Sequence, residues 1–237
     1  MWKRVCLAAG LLVATALANT EKAIFLGPET VNIPPTHPNL QDLHIDTLTP
    51  AQWAVRTHLD AQFPTDGSRF GRATWLALDE LTEGQRYEVR VCWAATQPTE
   101  FRLNIYELNT VFETPELISE LSEYSWSRQP KDGDHSENAE THKSASKKER
   151  QASILWLQIL AAADYFTTNQ TLMAEVPPVL VDIILDPYIF NVLPRSLVPT
   201  VGYIVIIAVF SWFLASRIST WIRGLATSQQ SPTKKDQ

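Results

Sequence analysis

The sequence predicts a mainly β fold, a β-sandwich with short helices, followed by a single C-terminal transmembrane helix. Three observations carry this. Period-two alternation of apolar and polar residues runs through RYEVRVCWA and FRLNIYEL, the signature of strands with one buried face. Short apolar runs recur between turns rich in Gly, Pro, Thr and Asn, the spacing of a sandwich. Finally, Ser196 to Ser216 holds no charged residue, which suits a helix crossing a hydrocarbon core of roughly 30 Å.

The chain opens MWKRVCLAAGLLVATALANT. Lys3 and Arg4, an apolar run and the small residues around Ala16-Leu17-Ala18 make the three regions of a secretory signal peptide, with a run too short for a retained span. Residues 1–18 are read as the leader, with cleavage between Ala18 and Asn19.

From Lys22 to Leu108 the runs KAIFL, VNI, ATWLALDEL, RYEVRVCWAA and FRLNIYEL read as strands. Tyr87, Val89, Val91 and Trp93 share one face of the fourth, and Phe101, Leu103 and Ile105 one face of the fifth. LDELTEGQRYEVRV resembles the corner of a fibronectin-type or immunoglobulin-like sandwich, where a Leu, a Gly turn and a Tyr open a strand. The resemblance implies that the Tyr87 hydroxyl bonds back to the turn. The immunoglobulin cysteine spacing is absent. Residues 19–127 are therefore assigned to a lumenal immunoglobulin/fibronectin-like sandwich.

TPELISELSEY, Thr114 to Tyr124, reads as a short helix capped by Thr114, with Pro115 in its first turn and Glu116 at the positive end of its dipole. Residues 128–151 contain no aromatic or large aliphatic residue and read as a disordered lumenal loop. ASILWLQILAAADYF reads as a helix or a long strand, with Ile154, Leu157 and Ala161 on one face if helical. Asn169-Gln170-Thr171 is an N-glycosylation sequon. The stretch Glu175 to Ser196, EVPPVLVDIILDPYIFNVLPRS, is apolar but broken by Pro177, Pro178, Pro187 and Pro194. Asp182 and Asp186 argue against a second span. Such an apolar segment must be covered, and three covers stay open: the bilayer surface, the β domain or another membrane protein. Within this membrane-proximal region, residues 152–195, Ile183, Ile184 and Leu185 are the expected partner-docking residues.

The span, residues 196–216, is bracketed by Arg195 and Arg217. The tail, residues 217–237, is rich in Lys and Arg, which predicts a cytosolic C-terminus and a lumenal N-terminus. Lys234 and Lys235 stand fourth and third from the end. In a cytosolic tail this is the dilysine retrieval signal read by vesicle coats, an address rather than an anchor. The expected location is the endoplasmic reticulum membrane, as a single-pass type I protein.

The chain carries a formal charge of −6. Leader and tail are positive, so residues 19–195 carry about −11, which argues against nucleic-acid binding. Of the two cysteines, Cys6 leaves with the leader and Cys92 reads as a small buried hydrophobe. No disulfide is expected, so the domain must be held by its core. No G-x-S-x-G, H-E-x-x-H, phosphate loop or G-x-G-x-x-G occurs. His37, His44, His58, His135 and His142 lack metal-ligand spacing. Neither catalytic residues nor a cofactor nor a metal is expected.

A leader, a lumenal domain and one C-terminal span, with ANTEKAIFLGPE after the cleavage site and LPRSLVPT at the entry to the span, resemble the small subunit of fungal glycosylphosphatidylinositol (GPI) mannosyltransferase II. The resemblance implies a non-catalytic accessory subunit. Its partner would be a multispan catalytic subunit that adds the second mannose of the anchor precursor from dolichyl-phosphate mannose. The vesicle coat and the bilayer are the other expected partners. Two alternatives belong to other classes. One is a lumenal binding module for a glycan or an unfolded client, with exposed Trp75 or Trp93 lining a groove. The other is a lumenal hydrolase.

Overall fold

Residues 18–33, 40–129 and 150–228 are described by the computed structural model. The expected leader (but for Ala18), most of the expected disordered loop and the Lys234–Lys235 pair lie outside the described residues. The chain divides into two units, meeting at Val192 and Leu193.

The first unit contains β1 (Ala18–Leu26), β2 (Val31–Ile33), β3 (Thr47–Leu48), β4 (Ala54–Leu59), β5 (Arg72–Leu78), β6 (Arg86–Ala94) and β7 (Thr99–Glu107). Helices α1 (Leu108–Glu113) and α2 (Pro115–Ser127) follow, then β8 (Arg150–Ala152), β9 (Leu155–Ala163), α3 (Gln170–Ala174) and β10 (Val179–Ile189). Two sheets result. In the first, β6 pairs antiparallel with β1 and β10, and β10 pairs antiparallel with β4. In the second, β5 and β7 flank β9, both antiparallel, and β3 runs parallel to β5 at the edge. A small β2–β8 ribbon stands apart.

The sheets bury one common core. Tyr87, Val89, Val91 and Trp93 of β6 meet Leu155, Leu157, Ile159 and Ala161 of β9, with Val179, Val181, Ile183 and Leu185 of β10 and Phe101 of β7 beside them. Alternation places these residues on one face each, as the sequence predicts for β6 and β7. The outer face of the second sheet carries a second core, in which Trp75 and Trp156 pack with Val111 and Leu121 of the two helices. The layers are therefore sheet, sheet, helices. In α2, Thr114 stands at the N-cap without a side-chain capping bond, and Pro115 occupies the first turn.

The corner expected at Tyr87 is present. Its hydroxyl accepts from the Thr82 N–H at 2.9 Å and donates to Gln85 Oε1 at 2.9 Å, with Tyr87 fully buried. Gly71 holds another close approach. Its φ is +84°, and an added Cβ would lie 1.9 Å from the Ala161 carbonyl oxygen, a separation only glycine permits.

Two expectations, on the folded unit's extent and on Cys92, are corrected, and one open alternative is settled. The folded unit does not end near residue 127 but runs to Val192, because β9 and β10 are interior strands of the two sheets. The apolar stretch after residue 175 is not an exposed patch. It is mostly β10, and of the three covers left open, the β domain provides it. Cys92 is not in the core: it is half-exposed on the outer face of β6, where Thr20 Oγ1 reaches its Sγ at 3.5 Å.

The second unit is a two-residue strand, Leu193–Pro194, a 3₁₀ turn, Arg195–Leu197, and the helix α4 (Val198–Ser228). The segment Arg195–Leu225 is long and apolar enough to cross a membrane. Its 31 residues span about 46 Å at 1.5 Å each, so the helix outruns the expected span of 196–216 into the segment read as tail.

Candidate functional site

The outer face of the first sheet is polar and ionically cross-linked. Even-numbered residues of β10 point there, opposite the core-facing Val181, Ile183 and Leu185. Arg56 of β4 makes a two-pronged contact with Asp182, Nε to Oδ1 at 2.7 Å and Nη2 to Oδ2 at 2.8 Å. The contact holds the Asp182 carboxyl below the usual carboxylate range and the Arg56 guanidinium above its own. Further along, Glu88 accepts from Lys22 at 3.2 Å, from Arg90 at 3.4 Å and from the Tyr188 hydroxyl at 3.3 Å. Arg90 also lies 3.8 Å from Asp186. Burial and Glu88 together push the Tyr188 hydroxyl up. Glu88 and Asp186 are buried, and a buried carboxylate must be paired. Both are held by cations: Glu88 by Lys22 and Arg90, and Asp186 by Arg90.

Two concavities stand out among the described residues of the first unit. An apolar cleft of about 330 Å³ lies at one end of the sandwich, between the β6–β7 turn and Tyr165, Leu172, Val176 and Val179. A polar groove of about 230 Å³ opens along the β4 side, lined among others by Asp46, His58, Asp60, Arg72, Tyr124 and Arg128. Its charges are paired within it: Arg128 with Asp46 at 2.9 Å and Arg72 with Asp60 at 3.8 Å. Among the described residues no group of three His, Cys, Asp or Glu is placed to hold a metal.

Trp75 and Trp93, the residues a glycan-binding groove would use, are 0% and 8% exposed. Both are core side chains, Trp93 packed edge-on to Phe101, and that reading loses its motive. Asn169 is exposed and caps α3, its Oδ1 accepting from the Thr171 N–H at 3.0 Å. Lys234 and Lys235 lie outside the described residues. Asn19 stands at the second position of β1, opposite Trp93, so the expected cleavage point coincides with the start of a paired strand.

Ile183 and Leu185 are fully buried. Only Ile184 turns to the outer face, half-buried and opposite Arg90 and Ala54. The stretch Ile183–Leu185 therefore offers a partner one side chain rather than three. The large apolar surface is α4, none of whose hydrophobic window is buried within the chain. Two of its hydroxyls bond within the helix: Ser216 donates to the Trp212 carbonyl and Thr220 to the Ser216 carbonyl, each at 2.8 Å. That local bonding is what a polar side chain in lipid requires.

Sequence reasoning missed the ionic ladder, because its partners are far apart in the chain. Arg56 and Asp182 are separated by 126 positions, and only strand pairing joins them.

Comparison with known proteins adds one finding. The family model of Pga1, described as GPI-mannosyltransferase II co-activator, matches residues 10–120, which bears out the resemblance drawn from the sequence. No curated protein and no solved structure matches the chain.

Proposed function

From its similarity to the GPI-mannosyltransferase II co-activators, we propose that this chain is a non-catalytic accessory subunit of a multispan mannosyltransferase of the endoplasmic reticulum. The reaction it supports is addition of the second mannose to the anchor precursor. The observation that carries the reading is the family match over residues 10–120, joined to a helix able to cross a membrane. With one such helix among the described residues and its buried carboxylates paired, the chain supplies a scaffold. Transfer from a lipid-linked sugar is left to the partner.

In this reading the first unit is lumenal, α4 spans the bilayer, and Lys234 and Lys235 retrieve the protein to the reticulum. Asn169, exposed at a helix cap, carries a glycan. Docking uses α4 inside the bilayer, where helices associate by close packing and interhelical hydrogen bonds. Ile184 and the polar outer face provide the lumenal part of the contact, while Ile183 and Leu185 contribute by holding β10 in place.

The test is purification of the full chain in mild detergent followed by identification of what comes with it. A multispan mannosyltransferase should be recovered in stoichiometric amount. Its absence, with the chain itself intact and folded, overturns the reading. Lys234→Ser with Lys235→Ser should release the protein from the reticulum; unchanged location shifts retention to the partner.

A further inference from the structure

β10 ends in a tight turn, Ile189-Phe190-Asn191-Val192, closed by the Val192 N–H bonding to the Ile189 carbonyl at 3.1 Å. Both central residues have positive φ, Phe190 at 52° and Asn191 at 58°, the pattern of a type I′ turn. Asparagine accepts that backbone readily. A bulky aromatic does not. The turn is pinned from one side: Asn191 Oδ1 accepts from the Arg86 N–H at 2.8 Å, and its Nδ2 donates to the Gly84 carbonyl at 2.9 Å. The unfavourable geometry is thus maintained, and its result is Phe190 at 93% exposure with Val192 at 78%.

More apolar surface gathers at this end of the sheet. Leu26, 55% exposed, pairs with Arg86 at the end of β1, and the Arg86 guanidinium lies 5.8 Å from the Tyr188 ring. Aromatic and aliphatic side chains beside an arginine are the composition of a membrane–water interface.

Chain length says which interface. Arg195 precedes the uncharged run and must keep its charge at headgroup level. Val192 is three residues earlier, and three residues reach at most about 11 Å. The tip is therefore tethered within about 11 Å of the headgroups, whatever the arrangement of the two units. The apolar cleft and the exposed Phe166 lie at the opposite end of the sandwich, where β10 begins. Eleven strand residues at about 3.3 Å each put that end roughly 35 Å away, with no comparable tether.

We infer that the Ile189–Val192 turn is a membrane-interface anchor. Phe190 and Val192 insert at the boundary of headgroups and acyl chains in the leaflet where α4 enters, and Arg86 faces the lipid phosphates. The anchor sets the tilt of the first unit over the bilayer. This depends on α4 crossing a membrane and not on the accessory role, so either can fail without the other.

The test uses the full chain with Cys6→Ser and Cys92→Ser, reconstituted in phosphatidylcholine vesicles. Phe190→Cys carries an environment-sensitive nitrobenzoxadiazole label, and Phe166→Cys carries the same label as a control of similar exposure at the far end. The label at 190 should emit at shorter wavelength than that at 166. It should also lose intensity when the lipids are brominated on the upper acyl chain, while the label at 166 is unaffected. Val192→Cys gives the same readout should Phe190→Cys fail to fold. Water-like, unquenched emission at both tip positions overturns the inference. So does a blue-shifted label that brominated lipid does not quench, since that means a protein contact.

Discussion

Ile183 and Ile184 are neighbours on one strand, yet their substitution should have different consequences. Ile183 is fully buried, paired with Val91 on one side and Val55 on the other, in the core shared by both sheets. Ile183→Ala removes three carbons where the surroundings relax only partly, at a cost of about 2–5 kcal/mol. For a unit of this size each kcal/mol lowers Tm by about 2–4 °C, so a fall of about 4–20 °C is expected. Ile184 is half-buried on the outer face. Full burial of an isoleucine is worth about 1.5–3 kcal/mol, so Ile184→Ala should cost about 1 kcal/mol and at most ~4 °C. The assay is thermal unfolding of the full chain in detergent, followed by tryptophan fluorescence. Equal falls in the two variants, or a larger one for Ile184→Ala, would refute the register of β10. The same pair separates docking from folding. Ile183→Ala should lose a co-purifying partner only in step with the unfolded fraction, whereas loss from Ile184→Ala at unchanged Tm marks a true contact.

Other expectations follow from single features. Tyr87→Phe removes the acceptor for the Thr82 N–H and should destabilise by about 1 kcal/mol, read as a shifted urea midpoint with unchanged slope; no shift would mean that the corner contributes nothing. Gly71→Ala forces a Cβ against the Ala161 carbonyl at a positive φ and should cost more than ~2 kcal/mol, seen as loss of the folded species on size exclusion; a wild-type profile would contradict the β5–β9 approach. The Asp182 carboxyl, held low by Arg56, favours the folded state above its unfolded pKa of about 3.9, and the benefit is lost as pH falls through the lower folded value. Asp182→Asn should therefore flatten the acid limb of a stability–pH profile below about pH 4 and leave its shape at pH 7 unchanged; an unaltered acid limb would show that the pair is solvated away.

Much of this protein is legible in its sequence because the signals are local. Alternation in β6 and β7 reports that one face of each strand is wetter than the other, and Tyr87 to Trp93 duly line the core. The uncharged run from residue 196 announces a membrane-competent helix by composition alone. β9 is the counter-example. It is buried nearly throughout, with Leu157 and Ile159 in the sandwich core and Trp156 under the helices. A strand covered on both faces has no period to read, so helix and strand stay equally open until its two neighbours are known.

Sequence by itself therefore determined the β character, the inward faces of two strands, the Tyr87 corner, the apolar helix and the family resemblance. All but the resemblance, which rests on the order of segments along the chain, depend on residues within a few positions of one another. Tertiary structure alone decided that β10 is an interior strand rather than an exposed patch, that Cys92 faces outward, and that Glu88 and Asp186 are buried with Arg90 between them. It also decided that a phenylalanine stands bare at the end of β10. These depend on which strands pair, and pairing joins positions such as Arg56 and Asp182 across 126 residues. No local pattern encodes such a choice; it follows from the free energy of closing the whole core.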